Sequence, residues 1–203
     1  MVAIIHAHPD PDSFTSSLAA AAAESLASSG LETRIVDLYR VGLSDDESKN
    51  GPFPPVMEND ELRRKTSFDT TVQRQMDLVE RADGYVIIHP DWWGGPPAVL
   101  KGWIDRVLRP ETAYERPDGF GDREPAGLLI GRRALVAVHG DGADPGPLEE
   151  FWVRRVWGFC GVRSEFLYMP EVARSRVGDR ENFTRLLSRR VLEYFHLSNG
   201  PGS

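Results

Sequence analysis

The sequence predicts an α/β domain: a doubly wound, five-stranded parallel sheet in the order 2-1-3-4-5, with helices on both faces. Three observations predict it. Five short runs read as strands, Val2–Ala7, Thr33–Leu38, Tyr85–His89, Arg132–Val138 and Ser164–Met169, the first of them rich in β-branched residues, alternate with helical segments. Strands alternating with helices imply parallel pairing through right-handed crossovers. The loops after the first, third and fourth runs carry the unusual residues of the chain, and this strand order gathers those loops around the switch point where ligands bind.

Composition bounds the rest. The 203 residues suit one domain, 1–203, with a core of its own and two excursions, at 39–67 and 111–131. Apolar content of 40% and charged content of 27% are those of a water-soluble globular chain. A net charge of −7 without a basic tract excludes nucleic acid as a partner. No apolar run approaches the ~20 residues of a membrane helix, so no stable membrane insertion is expected. Cys160 is the only cysteine, so no intrachain disulfide forms. A reducing, cytoplasmic compartment is expected.

Val2–Ala7 is a buried first strand. The loop His6-Ala7-His8-Pro9-Asp10-Pro11-Asp12-Ser13-Phe14-Thr15 leads into an alanine-rich helix, Ser16–Ser29, which Gly30 ends. A helix N-terminus suits a phosphate, and Ser13, Thr15 and the His8 ring add donors. Equally, Ser13 or Thr15 is simply the N-cap. After the second strand, residues 39–67 form a long polar excursion, with a short helix expected at Leu62–Lys65. A second helix from Asp69 presents Val72, Met76, Val79 and Ala82 on one face.

The third strand runs into H-P-D-W-W-G-G-P-P, His89 to Pro97. A helix follows, with Ala98, Val99, Leu100, Trp103, Ile104, Val107 and Leu108 on its apolar face, Lys101 and Asp105 as an i,i+4 pair, and Pro110 as its stop. Trp92 and Trp93 either wall a ligand site or cap the sheet as core. Beyond Tyr114 the second excursion includes Gly119-Phe120-Gly121. After the fourth strand, His139 is either an acid titrating near neutrality or a hydrogen-bonded strand end. The next helix presents Leu148, Phe151, Trp152, Arg155, Val156 and Phe159. The last helix spans Asp179–Phe195, with Phe183, Leu186, Leu187, Val191 and Tyr194 at core spacing, and Asn199–Ser203 frays.

Pro90, the tryptophan pair, the run P-A-x-L-K-G-W-x-D-R-V from Pro97 to Val107, the His8, Ser13, Phe14 loop and Gly158-Phe159-Cys160-Gly161 resemble the flavodoxin-like NAD(P)H:quinone oxidoreductase family. The resemblance implies a flavodoxin-like fold and hydride transfer from NAD(P)H, through bound flavin, to a quinone or similar acceptor. It favours FAD over FMN, and implies a homodimer with the site at the interface. It assigns His8, Ser13, Phe14 and Thr15 to the cofactor phosphates. Pro90, Asp91, Trp92, Trp93 and Gly94, with His139, Gly140, Asp141 and Gly142, fall around the flavin ring. Backbone N–H groups of Trp92 to Gly94 and Gly140 to Gly142 would stabilise charge on the reduced ring. Tyr114 resembles a family tyrosine and, with His139, is a candidate catalytic residue.

There are departures. Thr15 replaces an asparagine, Asp91 a leucine, Gly94 a bulky aromatic, and His139 and Asp141 interrupt a Thr-Thr-Gly-Gly loop. A carboxylate at 91 is unfavourable beside a reduced flavin unless it is paired or turned away. The later tyrosine and histidine relay of mammalian-type members is absent. Two other readings stand beside this one. The first is a regulatory or binding subunit of a membrane transporter that retains a flavin-like pocket. The second rests on Ala7-His8-Pro9-Asp10, which resembles the loop of zinc-dependent N-acetyl-sugar deacetylases. There Pro11 occupies the place of the required second aspartate, and no metal site is expected.

Overall fold

A computed structural model describes residues 1–41, 70–115, 126–142 and 144–196. The strands are β1 (Val2–His6), β2 (Thr33–Asp37), β3 (Gly84–Pro90), β4 (Arg133–His139) and β5 (Arg163–Met169). They form one parallel sheet in the order β2-β1-β3-β4-β5, as expected. Register is set by matched apolar runs: Ile4 lies beside Val86, and Val86 beside Leu135.

The sheet divides two cores by the period of two along each strand. Ala3, Ile5, Tyr85, Ile87, Ala134 and Val136 face one layer, which holds α2 (Thr70–Arg81), α3 (Ala98–Val107) and the helix before β5. Val2, Ile4, Val86, Ile88, Leu135 and Ala137 face the other, which holds α1 (Phe14–Ser28) and α5 (Val177–His196). Both faces of the central strands are covered, so their sequences read as continuous apolar runs.

Helix α1 begins earlier than the alanine run suggests. Ser13 is its N-cap, accepting from the Ser16 N–H at 3.2 Å. Gly30, at φ +83°, takes the left-handed conformation that ends it.

The helix before β5 differs from a regular amphipathic one. It starts as α4 (Gly146–Glu150) and widens into a π-helical stretch, Phe151–Gly158. A π turn closes its hydrogen bonds over five residues, so Trp152 and Trp157 share a side. Both are fully buried, with ring centroids 6.4 Å apart, and Trp157 stacks on Tyr85 at 4.8 Å. A 3.6-residue period placed Arg155 and Phe159 on the inward face and passed over Trp157. In the structure Arg155 and Phe159 are exposed.

Of the first excursion, only residues 39–41 are described. Leu62–Lys65, Gly119-Phe120-Gly121 and Asn199–Ser203 lie outside the described residues. The second excursion is pinned at its base, where Glu115 donates to Ala126 at 2.8 Å and Leu128 to Ala113 at 2.9 Å. Among the described residues, no helix is long and apolar enough to cross a membrane. Cys160 is buried, and burial pushes its thiol up to about 12, which removes it from nucleophilic chemistry at neutral pH.

Candidate functional site

Parallel strands put the loops after β1, β3 and β4 on one edge of the sheet, and specific contacts draw the three together. The first loop is built by its own polar groups. The Asp10 N–H, at 3.1 Å, and the Asp10 carbonyl, at 3.3 Å, both approach His8 Nδ1, so that nitrogen is engaged within the loop and Nε2 is the ring atom left for a ligand. Asp12 N–H donates to Asp10 Oδ1 at 2.9 Å, and both acids lie at the exposed surface, as expected. Arg40 donates to Asp37 Oδ2 at 2.6 Å and to the Pro9 carbonyl at 2.7 Å, tying the loop to the end of β2. Sequence reasoning passed over Arg40; the D-x-x-R spacing of Asp37 and Arg40 was the available signal. Among the described residues, the N–H groups of Phe14 and Thr15 meet no acceptor. They leave donors at the positive end of α1.

The second loop is a tight turn. Trp92 donates to the Gly95 carbonyl at 3.0 Å and Gly95 returns a bond to Trp92 at 3.2 Å. Trp93 (φ 59°) and Gly94 (φ 77°) are both left-handed, the signature of a type I′ turn. Trp92 is 40% exposed and Trp93 is 105% exposed. The turn therefore holds its aromatic surface out to solvent, and the reading of these residues as core is overturned.

Contacts between the loops define a crevice. The His8 and Trp92 rings lie 6.1 Å apart. Thr15 Oγ1 and His139 Nε2 are 2.8 Å apart, and the Phe14 ring packs on His139 at 5.3 Å. The Asp91 N–H donates to the His139 carbonyl at 2.7 Å. Asp91 Oδ1 accepts from Gly94 N–H at 2.8 Å, and Oδ2 accepts from the Tyr168 hydroxyl at 3.2 Å. The Tyr168 hydroxyl in turn accepts from Gly142 N–H at 3.2 Å. The carboxylate at 91 is thus paired.

Several expectations change here. Thr15 is buried and its hydroxyl meets His139, so the side chain is engaged within the protein and only its backbone N–H is left open. His139 is buried as well, and burial lowers it to about 4, with the nearby charges of His8 and Arg180 adding to the effect. It is uncharged at neutral pH and joins α1 to β4, so the role of a neutrally titrating acid is not what this geometry supports. The N–H groups of Trp92, Gly94, Gly140 and Gly142 are all engaged within the protein, Gly140 by the Met169 carbonyl. They are not open donors for a ring. Tyr114 is absent from the crevice of its own chain. Helix α3 starts beside the tryptophan turn, and its 10 residues carry the chain about 15 Å toward the opposite edge. There Tyr114 packs on Phe159 at 4.7 Å.

Beneath the crevice, His89 is fixed in one form. Trp152 Nε1–H donates to His89 Nε2 at 2.9 Å, so Nδ1 carries the proton and donates to the Pro90 carbonyl at 2.8 Å. Burial lowers His89 to about 4. Among the described residues, no group of three His, Cys, Asp or Glu side chains is placed to hold a metal.

The comparisons with known proteins agree with this architecture. The human ribosyldihydronicotinamide dehydrogenase [quinone] is 34% identical over 146 residues, which make up 68% of this chain and 62% of that protein. The chain thus spans less than two thirds of the length of this relative. An FMN-dependent NADH:quinone oxidoreductase of a Jannaschia species is 33% identical over 147 residues, 65% of this chain and 73% of its own. The solved structure of an NAD(P)H:quinone oxidoreductase from Methanothermobacter marburgensis superposes with a TM-score of 0.70 at 24% identity, covering 95% of this chain and 96% of that one. The family model described as the flavodoxin-like fold matches residues 1–176, through the fifth strand. With that match and the 2-1-3-4-5 parallel sheet, the chain belongs to the flavodoxin-like-fold family.

Proposed function

We propose that the chain is a flavin-dependent NAD(P)H oxidoreductase that reduces quinones or similar small acceptors, with FMN as its flavin. The observation that carries this reading is the convergence of free helix-end donors and an exposed aromatic turn on one crevice, joined through His8 and Trp92. The names of the human and Jannaschia relatives support it, and the second of them favours FMN over the FAD expected from the sequence. The donor set fits a phosphate: His8 Nε2 and the N–H groups of Phe14 and Thr15 hold it, with Ser13 shaping the turn. Trp92 and Trp93 offer flat apolar surface to an aromatic ring. A bound flavin supplies the redox chemistry, taking a hydride and passing it on. The chain binds and orients, and its one carboxylate in the aromatic loop has its charge compensated by Gly94 and Tyr168. A homodimer with a shared site belongs to this reading, since the candidate Tyr114 packs on Phe159, away from the crevice of its own chain.

The test is an absorbance scan of the purified protein, repeated after anaerobic NADPH and then after a quinone. The expected result is a flavin band that bleaches and returns. A colourless protein that takes up neither FMN nor FAD would sink the reading and move the transporter-subunit alternative forward.

The turn itself yields a second expectation. Left-handed backbone costs an ordinary side chain about 1–2 kcal/mol, and asparagine tolerates it better than tryptophan. Trp93→Asn is expected to raise the stability of the apoprotein by about 1 kcal/mol while weakening FMN binding or turnover. Thermal melts and an FMN fluorescence titration check this. Lower stability with unchanged binding would contradict it.

A further inference from the structure

Tyr168 stands near the end of the edge strand β5, yet its hydroxyl reaches past the β4 loop to a carboxylate in the β3 loop. It accepts from Gly142 on the way. Its ring lies nearly parallel to that of Phe166, with centroids 6.4 Å apart and planes 14° apart, which directs the hydroxyl. The glycines of the β4 loop make room for this arrangement. A Cβ at 140 would lie 2.6 Å from Asp91 Cβ and 3.1 Å from the Tyr168 hydroxyl. A Cβ at 142 would lie 2.8 Å from Asp91 Oδ2 and 3.1 Å from the same hydroxyl. Gly140 and Gly142 are therefore required by protein groups, apart from any ligand.

The other end of the carboxylate caps the tryptophan turn at Gly94. That turn keeps a fully exposed tryptophan in backbone it rarely adopts, which is where strain is associated with function. We propose that Asp91 and Tyr168 are positioning residues: together they latch the Trp92–Gly95 turn to Gly140–Gly142 and so fix where that turn stands beside the crevice. In the oxidoreductase reading, on which this part rests, the latch sets which acceptors fit beside the flavin. Neither residue exchanges protons or electrons in this role.

The experiment has two arms. In the first, amide exchange is followed by NMR in the apoprotein. Tyr168→Phe is expected to speed exchange at Gly142 and Gly94 about tenfold, the equivalent of one lost hydrogen bond, while the core amide of Ile87 is unaffected. Asp91→Ala does the same at Gly94. Asp91→Asn, whose side-chain oxygen still accepts, restores most of the protection. In the second arm, FMN-loaded enzyme is assayed with a small and a large quinone. The acceptor KM is expected to rise several-fold more than kcat falls in either single variant. The Asp91→Ala/Tyr168→Phe double variant should be no worse than the poorer single, because coupled residues do not add. Wild-type exchange at Gly94 in Tyr168→Phe, or additive effects on KM, overturns the latch. A protein that takes up no flavin counts against the oxidoreductase reading alone, and the exchange arm still decides the latch.

Discussion

Lowering the pH from 6.5 toward 4 is expected to cost this protein several kcal/mol of folding stability. His89 and His139 are both buried, and burial lowers each from 6.5 to about 4. An unfolded chain takes up protons at these positions below pH 6.5, whereas the folded chain refuses them until about pH 4. Stability is therefore complete above 6.5 and falls as the pH drops through this window. A lowering from 6.5 to about 4 corresponds to roughly 3 kcal/mol per histidine. The pair together is comparable to the low end of an ordinary domain's stability, which is about 5–15 kcal/mol. His6, also lowered by burial, acts in the same direction. Urea midpoints at half-unit intervals check this. Between pH 6.5 and 5 most carboxylates are still ionised, so the slope there belongs to the histidines. His139→Gln should lower stability at pH 7, through loss of the Thr15 contact, and yet flatten the acid limb by about half. A wild-type midpoint that is level across the window would refute the burial argument.

Trp152→Ala is expected to destabilise the fold by about 3–5 kcal/mol, the range for emptying a large aromatic site. The side chain is fully buried, packs on Trp157 and Phe151, and supplies the donor to His89. Trp152→Phe separates these contributions. It keeps most of the volume but leaves His89 Nε2 buried without a donor, at a cost of about 1–3 kcal/mol. Chemical denaturation of the three proteins measures both steps. Equal stability of Trp152→Phe and wild type would mean that His89 finds another donor and that its tautomer is not held by the π segment.

The sheet was legible because both its faces are covered: Ile4, Val86 and Leu135 are apolar for the same reason, and no alternation confuses the pattern. The first and second loops were legible because Ser13 lies at a helix start and Trp92-Trp93-Gly94-Gly95 at a strand end. What escaped was set by geometry that spacing does not encode. Trp157 was missed because a π turn changes the period on which a helical reading depends. Thr15 and His139 were both singled out, but their bond spans 124 positions and reverses the role of each. Asp91 was recognised as out of place, while its partner Tyr168, 77 positions away, carries no local mark. Tyr114 was placed by resemblance, and only the direction of α3 shows that it leaves the crevice of its own chain.

The long span of the Thr15 and His139 contact bears on how the crevice comes into being. During synthesis the first loop emerges early and can meet Arg40 and Trp92, but Thr15 has nothing to close against until β4 has been made and threaded beside β3. Tyr168 arrives later still, with β5 at the sheet's edge. A nascent or truncated chain ending before residue 139 therefore lacks a pocket even if its first two strands have paired. Pairings between distant segments are slow to form. Ligand uptake in this architecture becomes a late event, and so a reporter of the finished fold.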